Sequence, residues 1–299
     1  MKLGAATVIT DESIRPDVLA KALENRGFDS LVVAEHSHIP ACRATPFPAG
    51  GELPREYYRS YDPFVALTAA ALATSQLLIG PGVLLLPQRD AIETAKAVSS
   101  LDQISAGRLL LGLGLGWNLE EAADHGVEAT MRGKLLDEKL AAMKELWANE
   151  EAEFHGHHVD FDATYCWPKP VQKPHPKIYI GGFTAATVSR ARRHHAGWMP
   201  MAVPVADMVP AQLGLLDGAT DIPVSVIVPE SVEPAVLTLT ASMAQNERSS
   251  SFPPNPNRKR SNCSTALRHS PKHTAEPCTP AGAWADLAKY AEYVTVAMH

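Results

Sequence analysis

Five short stretches put residues able to do chemistry where apolar runs give way to polar ones. "AEHSHIP" places Glu35 and His36 at the end of a buried-looking run, with His38 close behind. A carboxylate beside an imidazole can set its tautomer and ready it for proton transfer, although a structural histidine at a strand end is the competing reading. "LLPQRD" puts Arg89 just before a helix-like segment, where a guanidinium can grip a phosphate or carboxylate or make an ordinary surface ion pair. "GLGLGWN" supplies Gly114, Gly116, Trp117 and Asn118. Its spacing is wrong for G-x-G-x-x-G, and no acid ends a strand about 20 residues later, which argues against a dinucleotide fingerprint. Closely spaced glycines still let a flat or phosphorylated ligand approach the backbone. "GGFTAATV" joins Gly181 and Gly182 to Thr184 at a helix start, which suits a phosphate and an ordinary N-cap equally. "FHGHHVDF" holds His155, His157 and His158, but neighbours on a strand face opposite ways and no further ligand has the right spacing. A hairpin is expected there, and no metal.

These stretches need elements to position them. "KLGAATV" (2–8), "DSLVVAEH" (29–36), "LLIGPGVLLLP" (77–87), "GRLLLGLGLG" (107–116), "KIYIGG" (177–182), "GWMPMAV" (197–203) and "IPVSVIV" (222–228) are short apolar runs that read as strands. Helical spacing lies between them. In "SIRPDVLAKALENRG", Ile14, Val18, Leu19 and Leu23 share a face and Gly27 can end the helix. "DPFVALTAAALATS" (62–75) has Asp62 placed as a cap and Pro63 in the first turn, while "DAIETAKAVSSLDQIS" (90–105), "RGKLLDEKLAAMKELWAN" (132–149) and "TAATVSRARRHH" (184–195) complete the series. This alternation predicts an α/β fold with a parallel sheet and crossover helices, and a (β/α)8 barrel needs one more strand than the seven found by residue 228. Glu35-His36, Gly80-Pro81-Gly82, Gly114 to Asn118, Gly181-Gly182 and Trp198-Met199-Pro200 all fall at the carboxyl ends of strands. That is the edge where such folds bind ligands.

Composition narrows the function classes. The 299 residues carry a formal net charge of -6 with 45% hydrophobic residues, which fits a globular enzyme and argues against a nucleic-acid or membrane-surface partner. No apolar run approaches the roughly 18 residues of a membrane span, and no secretory signal is read at the amino terminus. Cys42, Cys166, Cys263 and Cys278 form no close pairs, so free thiols in a reducing cytoplasm are expected.

Residues 246–273, "NERSSSFPPNPNRKRSNCSTALRHSPKH", break the pattern. Six Arg or Lys stand against one Glu, with no apolar period. Such a tract cannot bury enough surface to order itself, and reads as a linker or, less well, as a nucleic-acid arm. Phe252 is its only aromatic platform.

Taken in order, "GFDSLVVAEHSHIP", "YDPFVALTAAALAT", "IGPGVLLLPQRDAIETAKAVSSLDQISAGRLLLGLGLGWN", "FDATYCWPKPVQKPHPKIYIGG" and "HAGWMP" resemble the bacterial-luciferase-like monooxygenase family, and more narrowly its actinobacterial branch dependent on coenzyme F-420. The likeness runs from residue 1 to about 237. It implies a barrel of the luciferase-like type that binds the deazaflavin at the carboxyl ends of its strands and passes a hydride to or from an organic substrate. By that resemblance His36 handles the proton and Glu35 orients it. Gly82-Val83 forms a bulge or cis bond behind the ring, and Gly114, Gly116 and Asn118 line the ring and ribityl chain. Gly181, Gly182 and Thr184 meet the phosphate, and Arg89 reaches the acidic tail. Trp117, with His38, would line the substrate pocket. Relatives acting on sugar phosphates carry an acid near Trp117, so a bulky ring there points to an apolar substrate instead. An FMN-dependent monooxygenase on the same fold is the alternative. The partner expected is a small-molecule substrate, and a homodimer is among the assemblies the resemblance allows.

After residue 237 the family pattern calls for a helix, an eighth strand and a closing helix. Ser249, Ser250 and Ser251 written TCN and followed by Phe252 force four successive apolar codons when the frame is shifted by two bases. Residues 238–282 therefore read as a frameshifted, disordered segment in place of the eighth strand. Edges on the first and seventh strands would be left open, and an inactive, frame-damaged copy is a further alternative. "AWADLAKYAEYV" (283–294) has the apolar spacing of a closing helix, within a possible helical terminus at 283–299.

Overall fold

Apolar runs and amphipathic stretches alternate in the computed structural model as they do in the chain, and the model describes residues 2–201, 221–229 and 293–298. The first half comprises β1 (Lys2–Thr7), α1 (Pro16–Asn25), β2 (Ser30–Val33), α2 (Pro63–Ala73), β3 (Leu78–Pro81), α3 (Ala91–Ile104) and β4 (Leu110–Leu113). Then come α4 (Leu119–Asp124), α5 (Arg132–Ala148), the hairpin strands β5 (Glu151–His155) and β6 (Asp160–Tyr165), β7 (Lys177–Gly181), α6 (Ala185–Arg193), β8 (Gly197–Met199) and β9 (Val224–Pro229). The last described element is β10 (Tyr293–Met298).

Local chemistry starts the helices where the sequence predicts. The Asp62 carboxylate accepts from the Phe64 and Val65 amides at 2.9 and 3.1 Å, with Pro63 in the first turn of α2. Asp90 accepts from Glu93 N at 2.9 Å to cap α3. On α1, Leu19 and Leu23 are buried as expected, whereas Val18 is half exposed. The histidine-rich insertion is an antiparallel hairpin in which His155 pairs with Asp160, 2.8 Å apart.

The main sheet has the order β3-β2-β1-β10-β9-β8-β7-β4, and every described pairing in it is parallel except those of β10. Its end strands meet through parallel bridges, Ile79 with Leu109 and Leu84 with Leu113. Leu31, Ile79, Leu111, Ile178 and Ile180 face the helices, buried with Leu19, Leu67, Val98 and Leu140. Ala6, Val32, Leu110, Tyr179, Met199 and Ile227 form the second cluster, inside the ring of strands. This is the barrel arrangement expected, with filled interior layers.

The open edges expected on the first and seventh strands are not found. β10 runs antiparallel between β1 and β9, with Lys2 opposite Ala297 and Val224 opposite Met298. Where the sequence predicts the end of a closing helix, residues 293–298 are a strand. The reason is that a sheet edge presents alternating N–H and C=O groups, which an extended segment of either direction can satisfy. The basic tract, the proposed frameshifted segment and residues 283–292 lie outside the described residues.

Candidate active site

β2 ends at Val33, and two residues later the chain delivers Glu35 and His36 to the carboxyl edge of the sheet. Both are buried, but they serve different neighbours. His36 Nδ1 lies 2.7 Å from Glu121 Oε2, and the His36 and Glu121 side chains are 5% and 0% exposed. On the other edge of the ring, the indole N–H of Trp117 donates to His36 Nε2 at 3.2 Å. An indole nitrogen can only donate, so Nε2 carries a lone pair and the ring proton sits on Nδ1, given to Glu121. The two contacts together assign the tautomer.

Glu35 does not orient His36. Its carboxylate accepts from Arg89 Nε at 2.6 Å and from the Leu85 amide, and Arg89 also donates to Asp62 Oδ2 at 2.9 Å. Successive residues on extended chain point opposite ways, so a carboxylate adjacent in sequence is poorly placed to hold its neighbour's ring. Burial pushes the Glu35 carboxyl up, against the pull of the Arg89 guanidinium. Arg89 is thus committed to Glu35 and Asp62 and stacks over Phe64, 5.2 Å from the ring centre.

Gly82 and Val83 are joined by a cis peptide bond, as expected from the resemblance. Val83 sits against a glycine floor. A Cβ at Gly114 would lie 2.3 Å from Val83 Cγ2, one at Gly181 2.7 Å from its Cγ1, and one at Gly112 2.4 Å from the Pro81 carbonyl oxygen. Gly116 has φ +78, and a side chain there would meet the Gln88 amide at 3.4 Å. Asn118 caps α4 through Glu121 N at 3.3 Å, while Asn118 Nδ2 and Gln88 Nε2 are buried without a partner among the described residues. Gly181 ends β7, and Gly182, with φ +133, receives the Trp198 indole N–H on its carbonyl at 2.8 Å. Thr184 is the N-cap of α6, its hydroxyl 3.2 Å from Thr187 N.

Trp117 belongs to an aromatic cluster that the sequence did not announce. Tyr57 lies 5.4 Å from the His36 ring, Phe47 lies 5.2 Å from Tyr57, and Phe47 lies 5.8 Å from Trp117. Tyr57 comes from a single 3-10 turn after residue 54, and its place in the site had no motif to signal it. His38 is not in this cluster. It is 40% exposed and bonded to Ser37 Oγ and Asp124 Oδ2, both at 2.9 Å. Glu121 was also missed, although Asn118-x-x-Glu121 has the spacing of a capping box; that spacing announces a helix start and says nothing of burial. Among the described residues no group of His, Cys, Asp and Glu could hold a metal ion, Cys42 and Cys166 are free, and no helix is long and apolar enough to cross a membrane.

Known proteins place this geometry in context. A family model described as luciferase-like monooxygenase matches residues 17–211. An uncharacterized protein of Mycobacterium tuberculosis is 38% identical over 203 residues, which are 67% of this chain and 72% of that one. An F-420-dependent hydroxymycolic acid dehydrogenase of the same organism is 28% identical over 68% of this chain and 54% of its own. An FMNH(2)-dependent dimethylsulfone monooxygenase of Pseudomonas putida is 31% identical over 42% of this chain and 35% of its own. Among solved structures, a monooxygenase from Streptomyces bottropensis superposes with a TM-score of 0.61 at 25% identity, over 74% of this chain and 66% of that one. An F-420-dependent secondary alcohol dehydrogenase bound to an F-420–acetone adduct gives 0.56 at 21% identity, over 73% and 65%. This chain therefore spans slightly under two thirds of each of those solved chains. The chain belongs to the luciferase-like monooxygenase family, whose members are F-420-dependent or flavin-dependent oxidoreductases and monooxygenases.

Proposed function

We propose that this family member is a coenzyme F-420-dependent oxidoreductase that moves a hydride between the deazaflavin and an apolar organic substrate. The observation that carries the reading is the fixed lone pair on His36 Nε2, held at the carboxyl edge of the barrel by Glu121 and Trp117. The residues at the mouth fit a flat ring with carbonyl edges. A glycine floor gathers around Val83, and the amide nitrogens of Gln88 and Asn118 are buried donors with no described acceptor. The likeness to the hydroxymycolic acid dehydrogenase, which extends over more of this chain than that to the FMNH(2)-dependent relative, favours F-420.

Coenzyme F-420, when bound, supplies a two-electron hydride acceptor or donor. Everything else falls to the chain. His36 takes the proton of a substrate hydroxyl on Nε2 during oxidation, or returns it during reduction, and Glu121 stabilises the imidazolium that forms. Trp117, Phe47 and Tyr57 offer aromatic surface to the substrate. Gly114, Gly116 and Asn118 would lie along the ring and ribityl chain. Gly181, Gly182 and Thr184, at the start of α6, would meet the phosphate. Arg89, being ion-paired, is assigned to holding Glu35 and the loop after β3 in place, and the acidic tail is left to other cations.

A second reading, an FMN-dependent monooxygenase, rests on the 31% identity to the dimethylsulfone enzyme. The test is a fluorescence titration of the purified chain with F-420 and with FMN side by side. Saturable binding of F-420 alone is expected. Tighter binding of FMN would favour the monooxygenase, and binding of neither would leave an inactive copy as the better account.

A further inference from the structure

His36 is buried, yet any proton it takes from a substrate must reach water before the next turnover. Its Nδ1 contact leads through Glu121 to exposed side chains. Beyond Glu121 Oε2, the second carboxylate oxygen accepts from the Ser37 amide at 2.9 Å and lies 3.3 Å from the Ser37 hydroxyl. That hydroxyl is 2.7 Å from His125 Nε2 and 2.9 Å from His38 Nδ1. The two outer rings lie 5.6 Å apart, and His38 Nε2 meets Asp124 Oδ2 at 2.9 Å. His38 and Asp124 are 40% and 60% exposed. A cleft of about 430 Å³ passes Ser37 and His125, lined also by Glu35, Gln88 and Arg89. The contacts thus run without a gap from a buried imidazole to solvent.

We propose that Glu121, Ser37 and the His38–His125 pair form a proton relay serving His36. This goes deeper into the reading of His36 as the proton-handling residue and rests on it. In the oxidative direction a substrate hydroxyl gives its proton to Nε2 of His36, and the Nδ1 proton passes to Glu121 Oε2. The carboxyl group turns and hands that proton to Oγ of Ser37. Ser37 gives its own hydroxyl proton to Nε2 of His125 or Nδ1 of His38, whichever ring nitrogen is unprotonated, and that ring releases a proton to water. One proton enters, one leaves, and no electron moves within the relay. The imidazole, left protonated on Nε2, regains its starting tautomer as product departs, when Nε2 releases its proton to water at the mouth and the relay returns one to Nδ1. For reduction the sequence runs backwards. The 3.3 Å step between Glu121 and Ser37 is long for an O–H···O bond, so it is the step most exposed to damage. Trp117 closes the opposite side, since its N–H occupies Nε2 until a substrate hydroxyl takes its place.

The test uses the full chain without cofactor, labelled with ¹⁵N at histidine. Nuclear magnetic resonance of the imidazole nitrogens should show His36 protonated on Nδ1. Exchange of that proton with water should slow by about tenfold or more in Ser37→Ala, with melting unchanged because the Ser37 amide contact to Glu121 remains. His38→Ala/His125→Ala, which alters exposed residues, should slow it likewise. Added free imidazole should restore the rate in the double variant. A His36 protonated on Nε2, or an exchange rate that neither variant changes, would overturn the relay. Because these readouts need no cofactor, failure to bind F-420 would remove the functional reading while leaving the relay to stand or fall separately. In the loaded enzyme, Ser37→Ala should raise the solvent isotope effect on turnover without altering cofactor affinity.

Discussion

Glu121 reaches across 85 positions of sequence to place one oxygen 2.7 Å from Nδ1 of His36, in a spot where the carboxylate is fully buried. That contact, with the Trp117 N–H on the other edge, sets which ring nitrogen carries the proton and which the lone pair. Glu121→Gln keeps the shape but presents an amide, which can no longer stabilise an imidazolium. Turnover should fall roughly 100-fold and cofactor Kd should hold, because general acid–base assistance is worth about that much. A parallel loss of cofactor affinity would show that Glu121 shapes the binding mouth instead.

The glycine floor under Val83 makes a sterically sharp prediction. In Gly114→Ala the new methyl would sit 2.3 Å from Val83 Cγ2, so one of them must shift. Overpacking of this kind costs about 1–3 kcal/mol. Thermal melting should report that loss, and a fluorescence titration should report weakened cofactor binding. Gly114→Ala/Val83→Ala should recover most of the stability. If the single variant melts like the parent, the floor is looser than the distances imply.

Arg89→Ala would leave the Glu35 carboxylate buried without its cation, a defect worth about 3–5 kcal/mol. Burial already pushes this carboxyl up, and losing Arg89 removes the strongest pull in the other direction, leaving only the Leu85 amide to hold it down. The variant's deficit should be small at acid pH, where Glu35 is protonated in both states. It should widen as pH rises through the carboxyl's raised folded value. Denaturant melts of Arg89→Ala and Arg89→Met/Glu35→Leu across that range check the sign. A drop in F-420 affinity at constant stability would return Arg89 to the cofactor's acidic tail.

Glu24 behaves the opposite way. Burial pushes it up, but the amides of Gln76, Ser75 and Leu77 and the Lys21 ammonium outweigh that and hold its carboxyl at about 2. A depressed folded value stabilises the protein above the ordinary carboxylate value of 4.5 and stops doing so as pH falls toward 2. Glu24→Gln should therefore lose about 1–2 kcal/mol near neutral pH, after allowance for solvent screening, and that deficit should shrink as pH falls from 4.5 toward 2. Thermal melts of both proteins from pH 7 to acid should converge. Parallel curves would refute the assignment.

What was legible in the chain was what is local. Asp62 and Asp90 announce their helices because a cap bonds amides two or three residues away, and seven strands announce themselves as apolar runs between turns. His36 was legible too, by its place after β2. Its partner was not, because Glu35 is adjacent in sequence yet turns toward Arg89, while Glu121 lies beyond two further strands and looks like any acid in a first helical turn. His38 was read into the substrate pocket on proximity, whereas its bond to Asp124 draws it outward. The strand at the eighth position was not legible because strand and helix alternation signals parallel units, and β10 runs antiparallel to both of its neighbours.

The reversed polarity of β10 also changes which end of that strand borders the chemistry. In an all-parallel ring each strand finishes at the mouth, and a connecting loop leaves from there. β10 starts at that rim, with Tyr293 opposite Ala6 and Pro229, and descends toward Met298. One eighth of the rim is consequently bounded by an incoming strand, a place where the usual outgoing connection between strand and helix has no counterpart. A change at position 293 therefore falls on the ligand side of the ring, and one at position 298 on the opposite, structural side.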